Sequence, residues 1–516
     1  MLKWGAVLLL AAAFLLVVRG SHAFRDRTPG YVLDLKIDAA KSRTKPRPLR
    51  VGFGRVKINP DLSDTNQPVW VAGFSQHRAA TAIHDDLWAI ACVVDDGYTR
   101  FGLVALDAIG FFHDDTLEVR GGLPARWKLD YVTVCATHNH STPDLMGMWG
   151  PDILRSGVDA RYRRQVIAAA TKALGQAVKA LESARVAFHE LPLPAEGLVA
   201  DTRKPIVFDP DIRVMHFTSA VTGATIGSIV GWANHPETPW GQNTEITADF
   251  CGYLRAALEN GVIHDGHTLA PGVGGIHLYV NGAIGGLMTT HPSVTVRDPF
   301  LQQDFKPPSH AKARAVGHQL AARILPVLRS SPASGALRSG DAAEGGAALG
   351  DPNRAATDFA PIGLRARTIE MPVDNKLFLA ASYLGLIDRG FVRWKTMRTE
   401  VALVTLGGAS IACVPGEIYP EIINGGIERA PGGDFELAPV EVPPLRALMP
   451  AGVKFIFGLA NDELGYLIPK SEWDEKPPFL YGSKGVYGEQ NSCGPDAART
   501  IHAALAELCR ETTPAK

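Results

Sequence analysis

The chain has 516 residues, of which 46% are hydrophobic and 20% charged, as in a globular protein with a large core. Its 52 basic and 53 acidic residues give a formal net charge of −1 at pH 7. This balance excludes a nucleic-acid partner that is held by bulk positive charge.

The N-terminus has the pattern of an export signal. Lys3 precedes an apolar run over residues 5–18, and a small-x-small pattern at 21–23 resembles a cleavage site. Because a membrane span needs roughly 20 apolar residues, residues 1–23 are predicted to be the signal peptide of an exported protein, periplasmic or extracellular. An N-terminal membrane anchor is the alternative. Residues 24–48 are basic and contain proline, which predicts a linker, and residues 49–516 are predicted to form one domain.

The domain is predicted to alternate β-rich runs with amphipathic helices. Runs at 87–94 and 100–106 are joined by Asp95-Asp96-Gly97, which indicates a hairpin. Further strands are predicted at 132–134, 186–188, 212–217, 224–232, 276–280, 401–406, 409–414 and 453–459, and helices at 166–181, 249–258 and 311–328. This pattern predicts an α/β fold with mixed β-sheets and flanking helices.

Two further features are an insertion between the predicted elements and a possible disulfide. Residues 330–360 are rich in Gly, Ala, Ser and Asp and are predicted to be a flexible insertion. Of the six cysteines, Cys493 and Cys509 are the pair expected to form a disulfide if the protein is exported.

The segment 131–144 carries the first chemical signal. A β-branched apolar run ends at His138 and His140, and open α/β sheets place ligands at the C-terminal ends of their strands. In an extended segment, residues i and i+2 point to the same side, so both imidazoles could face one ion. Histidines that are merely hydrogen-bonded in a loop are the alternative.

Other strand-like runs also end in residues that can bind a metal, namely His235, Glu417 and Tyr466. Two histidines and one carboxylate make a common hydrolytic zinc set that leaves a position for water or substrate. A phenol is a less usual ligand, because its ordinary pKa of about 10 must be overcome by the cation. Spacing alone does not select these residues over the other His and Glu residues of the chain.

Five motifs resemble the neutral/alkaline non-lysosomal ceramidase family, from about residue 51 to the C-terminus, as in a divergent member. They are Ile83-His-Asp-Asp-Leu-Trp-Ala, Ala136-Thr-His-Asn-His-Ser-Thr-Pro, Asn234-His-Pro, Val414-Pro-Gly-Glu and Gly458-Leu-Ala-Asn-Asp-Glu-Leu-Gly-Tyr. The resemblance implies the catalytic domain of a zinc-dependent amidase. It implies that zinc is held by His138, His235, Glu417 and Tyr466, with His140 and Arg203 stabilising an oxyanion and Tyr481 as a second active-site tyrosine.

The chain departs from the family pattern in two places. The stretch 283–290 corresponds to the family loop that carries the active-site serine, and Met288 stands at the serine position and Gly286 at the aspartate position. A thioether cannot act as a serine-type nucleophile. The chain also ends soon after Tyr481, which predicts a catalytic domain without the family's C-terminal immunoglobulin-like domain.

These features predict a zinc-dependent hydrolase that cleaves an amide by metal-activated water, with an N-acyl lipid such as ceramide as one candidate substrate. The expected partners are a small-molecule or lipid substrate and, peripherally, a membrane surface, without nucleic acid and with the oligomeric state left open. A catalytically inactive lipid- or glycan-binding relative is the alternative, because of Met288. A phosphoester or sulfate-ester hydrolase is a third reading, which no phosphate loop supports.

Overall fold

A computed structural model describes residues 14–286, 288–330, 356–429, 431–480 and 487–512. Two large β-sheets pack face to face, and helices cover their outer faces. Both sheets mix parallel and antiparallel pairs. The predicted α/β fold with mixed sheets and flanking helices is therefore confirmed.

The strands of the described residues are numbered in chain order. In the first half they are β1 (Asp34–Ile37), β2 (Arg50–Lys57), β3 (Ala82–Ile83), β4 (Trp88–Asp95), β5 (Arg100–Leu106), β6 (Tyr131–Ala136), β7 (Glu182–Leu191), β8 (Ala200–Asp201), β9 (Ile212–Ser219), β10 (Thr225–Trp232), β11 (Glu245–Ile246) and β12 (Gly261–His264). In the second half they are β13 (His267–Pro271), β14 (Ile276–Asn281), β15 (Met288–Thr289), β16 (Val296–Asp298), β17 (Gln303–Phe305), β18 (Ile362–Pro372), β19 (Phe391–Arg393), β20 (Thr396–Leu406), β21 (Ala409–Cys413), β22 (Glu417–Ile418), β23 (Val453–Phe457) and β24 (Tyr466–Leu467).

The α-helices are numbered in the same way. They are α1 (Ala40–Thr44), α2 (His113–Gly121), α3 (Ala160–Lys179), α4 (Asp249–Asn260), α5 (His310–Ser330), α6 (Lys376–Leu384), α7 (Pro420–Asn424), α8 (Leu445–Leu448), α9 (Tyr487–Gln490) and α10 (Ala497–Thr512). The three helices predicted from the sequence correspond to α3, α4 and α5. Asp159 caps α3, because its side chain accepts a hydrogen bond from the backbone N–H of Arg161.

The larger sheet has eight strands in the order β14-β10-β9-β7-β2-β4-β5-β6. The smaller sheet has the order β1-β18-β20-β21-β23, with β19 also paired to β20. Five two-stranded ribbons complete the fold, and two of them, β8–β15 and β22–β24, contain residues of the site described below.

The alternation of side chains along the strands explains the layers. On β4, Ile90 and Cys92 face the second sheet, whereas Ala91 and Val93 face the helical layer, in which α3 packs on β4. Strands that are buried on both faces read as continuous apolar runs, which is why the hydrophobic pattern of these segments does not alternate with polar residues. The six cysteines are all free and buried, so Cys493 and Cys509 do not form the expected disulfide.

The structure also places the N-terminal segments. Residues 14–23 are helical, and Ala23 and Phe24 join the core beside the smaller sheet. Within the expected linker, β1 pairs with β18 as an edge strand, so this part of the segment packs on the domain. Residues 1–13, and 331–355 of the expected insertion, lie outside the described residues. No helix among the described residues is long and apolar enough to cross a bilayer.

Candidate metal centre

Ends of strands from both sheets meet at one edge of the sandwich. β6 leads into His138 and His140, and β10 leads into His235. The smaller sheet contributes Glu417 on β22 and Tyr466 on β24, which follow β21 and β23. The backbone N–H of Ala136 donates to the carbonyl of Leu459 at 3.1 Å, so that the end of β6 is joined to the segment between β23 and β24.

Asn281, the last residue of β14, fastens two of these ends together. Its side-chain amide donates to the carbonyls of Thr137 at 3.0 Å and Asn234 at 3.1 Å. Its side-chain oxygen accepts from the backbone N–H of Asn234 at 3.2 Å and of Gly282 at 3.1 Å. Because all of these groups are buried, the network fixes the backbone just before His138 and just before His235.

His138 and His235 have the same tautomer for the same reason. Nδ1 of His138 lies 2.7 Å from the carbonyl oxygen of Ile109, and Nδ1 of His235 lies 2.7 Å from that of Met288. A carbonyl oxygen only accepts, so each Nδ1 carries the hydrogen and donates it. This is the arrangement by which metal-binding histidines are oriented with Nε2 toward the ion. His138 has a φ of 64°, a left-handed conformation that costs free energy in a non-glycine residue.

Both Nε2 atoms face one oxygen of Glu417. Oε2 of Glu417 lies 3.4 Å from Nε2 of His138 and 3.0 Å from Nε2 of His235. Burial alone would raise the pKa of Glu417, but His138 and then His235 hold it well below its ordinary value. Imidazole lone pairs and a carboxylate oxygen at these distances require a cation between them, either a proton or a metal ion. The donor set of two imidazoles and one carboxylate fits zinc.

His140 completes a buried triangle of histidines. His138, His140 and His235 each offer a nitrogen within 4.8 Å of the others. Nδ1 of His140 lies 3.1 Å from Oε2 of Glu237, and burial lowers the pKa of His140 to about 4 despite this carboxylate. Gly73 makes room for the ring, because a Cβ at this position, where φ is 104°, would lie 2.5 Å from Cγ of His140. Sequence reasoning named neither Glu237 nor Gly73 as site residues, although Glu237 lies two residues after His235.

Tyr466 lies directly across from Glu417 in the parallel ribbon β22–β24. Residues paired in this way point to the same side of the ribbon. Burial and then the charge of Glu417 raise the pKa of Tyr466 well above its ordinary value, so the phenol is neutral in the metal-free chain. Its ring centroid lies 6.0 Å from that of Tyr487, an aromatic neighbour that the motifs did not indicate. Tyr481 lies outside the described residues.

Arg203 lies beside the site rather than among the histidines. Its backbone N–H donates to the carbonyl of Gly286 at 3.1 Å. Its two terminal nitrogens donate to the carboxylate of Glu489, each at 2.7 Å, and its guanidinium lies 5.5 Å from the ring centroid of Tyr419. The Tyr419 ring is in turn 6.3 Å from the Tyr466 ring. The guanidinium is thus connected to the site through Tyr419.

Met288 has a structural role at the position where the family pattern has serine. Its side chain is buried in the core, 1% exposed, and its carbonyl oxygen accepts from both the backbone N–H and Nδ1 of His235. The next residue, Thr289, pairs with His235 in an isolated parallel bridge. Burial alone would raise the pKa of Glu237, but His140 and then His235 lower it to about 2. The hydroxyl of Thr289 makes a smaller contribution in the same direction.

An open pocket with an accessible volume of about 80 Å³ leads to the candidate centre. His138, Glu417 and Tyr466 lie on its wall, and most of the remaining lining is apolar: Ile109, Phe112, Met146, Met148, Trp149, Phe378, Ile387, Met397 and Leu464. Glu463 and Asn491 are the polar exceptions, and Glu463 is charged when ionised. Oε1 of Glu463 accepts from the N–H of Gly465 at 2.9 Å, whereas its buried Oε2 has no hydrogen-bond partner among the described residues. Burial, followed by the charge of Glu417, raises the pKa of Glu463 well above its ordinary value.

Comparison with known proteins supports the fold. No family model and no curated protein matches the sequence. Among solved structures, the neutral ceramidase from Pseudomonas aeruginosa is similar, with a TM-score of 0.62 and 15% identity over 91% of this chain and 75% of that one. A ceramidase complexed with C2 gives a TM-score of 0.62 and 16% identity over 91% and 76% of the two chains. The chain therefore has the fold of neutral ceramidases.

Proposed function

We propose that this protein is a zinc-dependent amidohydrolase whose substrate carries a long apolar group. The observation that supports the proposal most directly is the approach of two histidine Nε2 atoms to one oxygen of Glu417 at the end of an apolar pocket. The ceramidase-like fold supports an amide as the bond that is cleaved, and an N-acyl lipid such as ceramide as the substrate class.

In this proposal zinc is held by His138, His235 and Glu417, with Tyr466 at its side. When bound, zinc supplies Lewis acidity that polarises a carbonyl group and makes water nucleophilic at neutral pH. The carbonyls of Ile109 and Met288 keep the two imidazoles in the tautomer that presents Nε2. The apolar wall of the pocket holds the substrate chain and excludes water from the scissile amide.

His140 is assigned the handling of a proton and of the developing charge. With Nδ1 directed to Glu237, a neutral His140 has its lone pair on Nε2, where it can accept a proton from water. The resulting imidazolium, beside the carboxylate of Glu237, can then donate to an oxyanion or to the leaving amine. Because Met288 cannot act as a serine-type nucleophile, water is the nucleophile of the reaction.

Arg203 and Tyr481 are assigned supporting roles. Arg203 is held by Glu489 and contacts the ring of Tyr419, which in turn lies beside the ring of Tyr466. We therefore expect that a substitution of Arg203 would lower activity by shifting the Tyr466 phenol in the pocket wall. The sequence pattern assigns Tyr481 to the oxyanion side.

The test is amide hydrolysis by the purified zinc-loaded chain on a panel of N-acyl amides with different acyl lengths. We expect turnover that favours long acyl chains, disappears with a chelator and returns with zinc, and is lost in His138→Ala but not in His267→Ala, an exposed histidine of β13. Turnover that is indifferent to the chelator would contradict the metal assignment. Binding of an N-acyl amide without any turnover would favour the inactive lipid-binding alternative that Met288 suggests.

A further inference from the structure

A second group of histidines lies outside the candidate centre, and the function proposed above does not use it. His84, Glu245 and His310 each offer a ligand atom within 4.8 Å of the others. His84 follows β3, Glu245 begins β11 and His310 begins α5. Three segments that are distant in the sequence therefore meet at one point on the surface.

Glu245 connects the two histidines. Its Oε2 lies 2.8 Å from Nε2 of His310 and 3.7 Å from Nδ1 of His84. The three side chains are partly exposed, with 34% for His84, 42% for Glu245 and 23% for His310. A metal ion therefore has access from solvent, and a water molecule could fill the remaining coordination position.

The other nitrogen of His84 is also held by a hydrogen bond, as the second nitrogen of a metal-binding histidine generally is. Nε2 of His84 lies 3.0 Å from the hydroxyl of Tyr253 on α4. When Nε2 donates to this oxygen, Nδ1 has the lone pair and faces Glu245. The loop around His84 is also anchored, because the neighbouring Asp85 accepts from Thr247 and from the N–H of Ala248, each at 2.6 Å.

We propose that His84, Glu245 and His310 form a second site for a divalent transition metal of the zinc class. Two imidazoles and one carboxylate are the donors that such an ion prefers. The rings of His84 and His310 stack, with centroids 3.7 Å apart and planes 7° from parallel. Since a metal lies near the plane of each imidazole that it binds, binding turns one ring out of the stack, a motion that the soft χ2 torsion of histidine allows. The bound ion would cross-link the segment after β3, the strand β11 and the start of α5.

The test is zinc binding by equilibrium dialysis of the full chain against zinc alone, with Co²⁺ absorption spectra as a second measurement. We expect two zinc ions per wild-type chain, and one in each of two single variants, His310→Ala and His235→Ala. The double variant is expected to bind none. His267→Ala, which removes another exposed histidine, is expected to retain both ions.

The outcomes separate this inference from the function proposed above. Equal stoichiometry in the wild type and in His310→Ala, together with unchanged Co²⁺ spectra, would overturn the second site and leave the catalytic assignment standing. Binding of one ion that is lost in His310→Ala but kept in His235→Ala would support the second site and overturn the first. Circular dichroism of each variant establishes that the fold is intact before the ions are counted.

Discussion

The two histidine groups of this protein differ in what surrounds them. In the inner group, His138 and His235 have side chains that are 7% and 4% exposed, and each Nδ1 is bound to a backbone carbonyl. In the outer group, His84 has one side-chain hydroxyl as its partner, and the two rings stack on each other. The donor atoms are alike, but only the inner group is fixed by the main chain.

If both groups bind a metal as proposed, this difference distinguishes a catalytic site from a structural one. Backbone carbonyls hold the inner imidazoles in one orientation before any ligand arrives, and low exposure strengthens electrostatic effects there. The outer group must rearrange on binding, so part of its binding free energy is used to order side chains. We therefore expect tighter zinc binding, and all of the catalytic effect, at the inner group.

The largest expected effect is the loss of activity in His235→Ala. The substitution removes one ligand candidate and leaves Glu417 without its contact at 3.0 Å. We expect turnover of the zinc-loaded protein to fall by more than about 100-fold. Loss of the hydrogen-bond partner of a metal ligand typically costs about 10–100-fold, and loss of the ligand itself should cost more. The measurement is amide hydrolysis at saturating zinc, and His267→Ala serves as the control. Full activity in His235→Ala would remove the functional distinction between the two groups.

A smaller effect is expected from Asn281→Ala, which acts on the main chain around the inner group. The substitution leaves the buried carbonyls of Thr137 and Asn234 without their donor. Since each unsatisfied buried group costs about 1–3 kcal/mol, we expect the free energy of unfolding to fall by about 3 kcal/mol in denaturant titrations. The control is Asn424→Ala, at an exposed asparagine whose side-chain amide donates to the carbonyl of Phe208, for which a loss below about 1 kcal/mol is expected. Equal losses in the two variants would show that Asn281 does not hold the strand ends.

Tyr253→Phe is expected to weaken only the outer group. It removes the hydroxyl 3.0 Å from Nε2 of His84 and keeps the aromatic ring. Loss of the partner that orients a ligand typically costs 10–100-fold in metal affinity, and we expect about 10-fold for this exposed site. Competition with a chromogenic chelator measures both affinities in the same titration, so the inner group is the internal control. A decrease in zinc affinity at both groups would contradict this prediction and indicate that binding at one group depends on the other.

The smallest expected effect is a gain of stability in Glu463→Leu. The wild-type carboxyl is buried in a largely apolar wall, and its Oε2 is unpaired within the part of the chain that the structure describes. An apolar side chain of similar size removes the unpaired buried oxygen, and the N–H that it leaves without an acceptor belongs to the partly exposed Gly465 and can turn to water. The free energy of unfolding should therefore rise by about 1 kcal/mol at most. Thermal unfolding measures the gain, and Glu196→Leu, at an exposed loop position, is expected to stay within about 0.5 kcal/mol of wild type. A loss of stability in Glu463→Leu would mean that the carboxyl has a partner in solution.

The sequence predicted the parts of the fold that depend on local pattern. The prediction was correct for the apolar runs of β4, β5 and β6 and for the amphipathic face of α3. These elements depend on the hydrophobic pattern of consecutive residues, which the sequence shows directly. The register of the strands and the face-to-face packing of the sheets depend on contacts between distant residues, which a single sequence does not display. The segment 24–48 illustrates this limit, since the pairing of β1 with β18 has no signal in its basic, proline-containing composition.

For the candidate site, the sequence motifs identified the metal-ligand candidates but not the residues that position them. His138, His235, Glu417 and Tyr466 were selected by resemblance, and the structure brings them to one edge. Asn281 and Glu237 were not selected, because an isolated Asn or Glu after a strand is common in any chain. The pairing of Arg203 with Glu489 likewise depends on residues 286 positions apart in the sequence.

The contact between Met288 and His235 has a consequence for how such a site can change over evolution. The histidine is oriented by a main-chain oxygen, which every amino acid supplies. Substitutions at position 288 can therefore change the side chain that packs in the core while His235 keeps the acceptor that orients it. A lineage could exchange a hydroxyl for a thioether there, and later recover it, without losing the main-chain oxygen that orients His235.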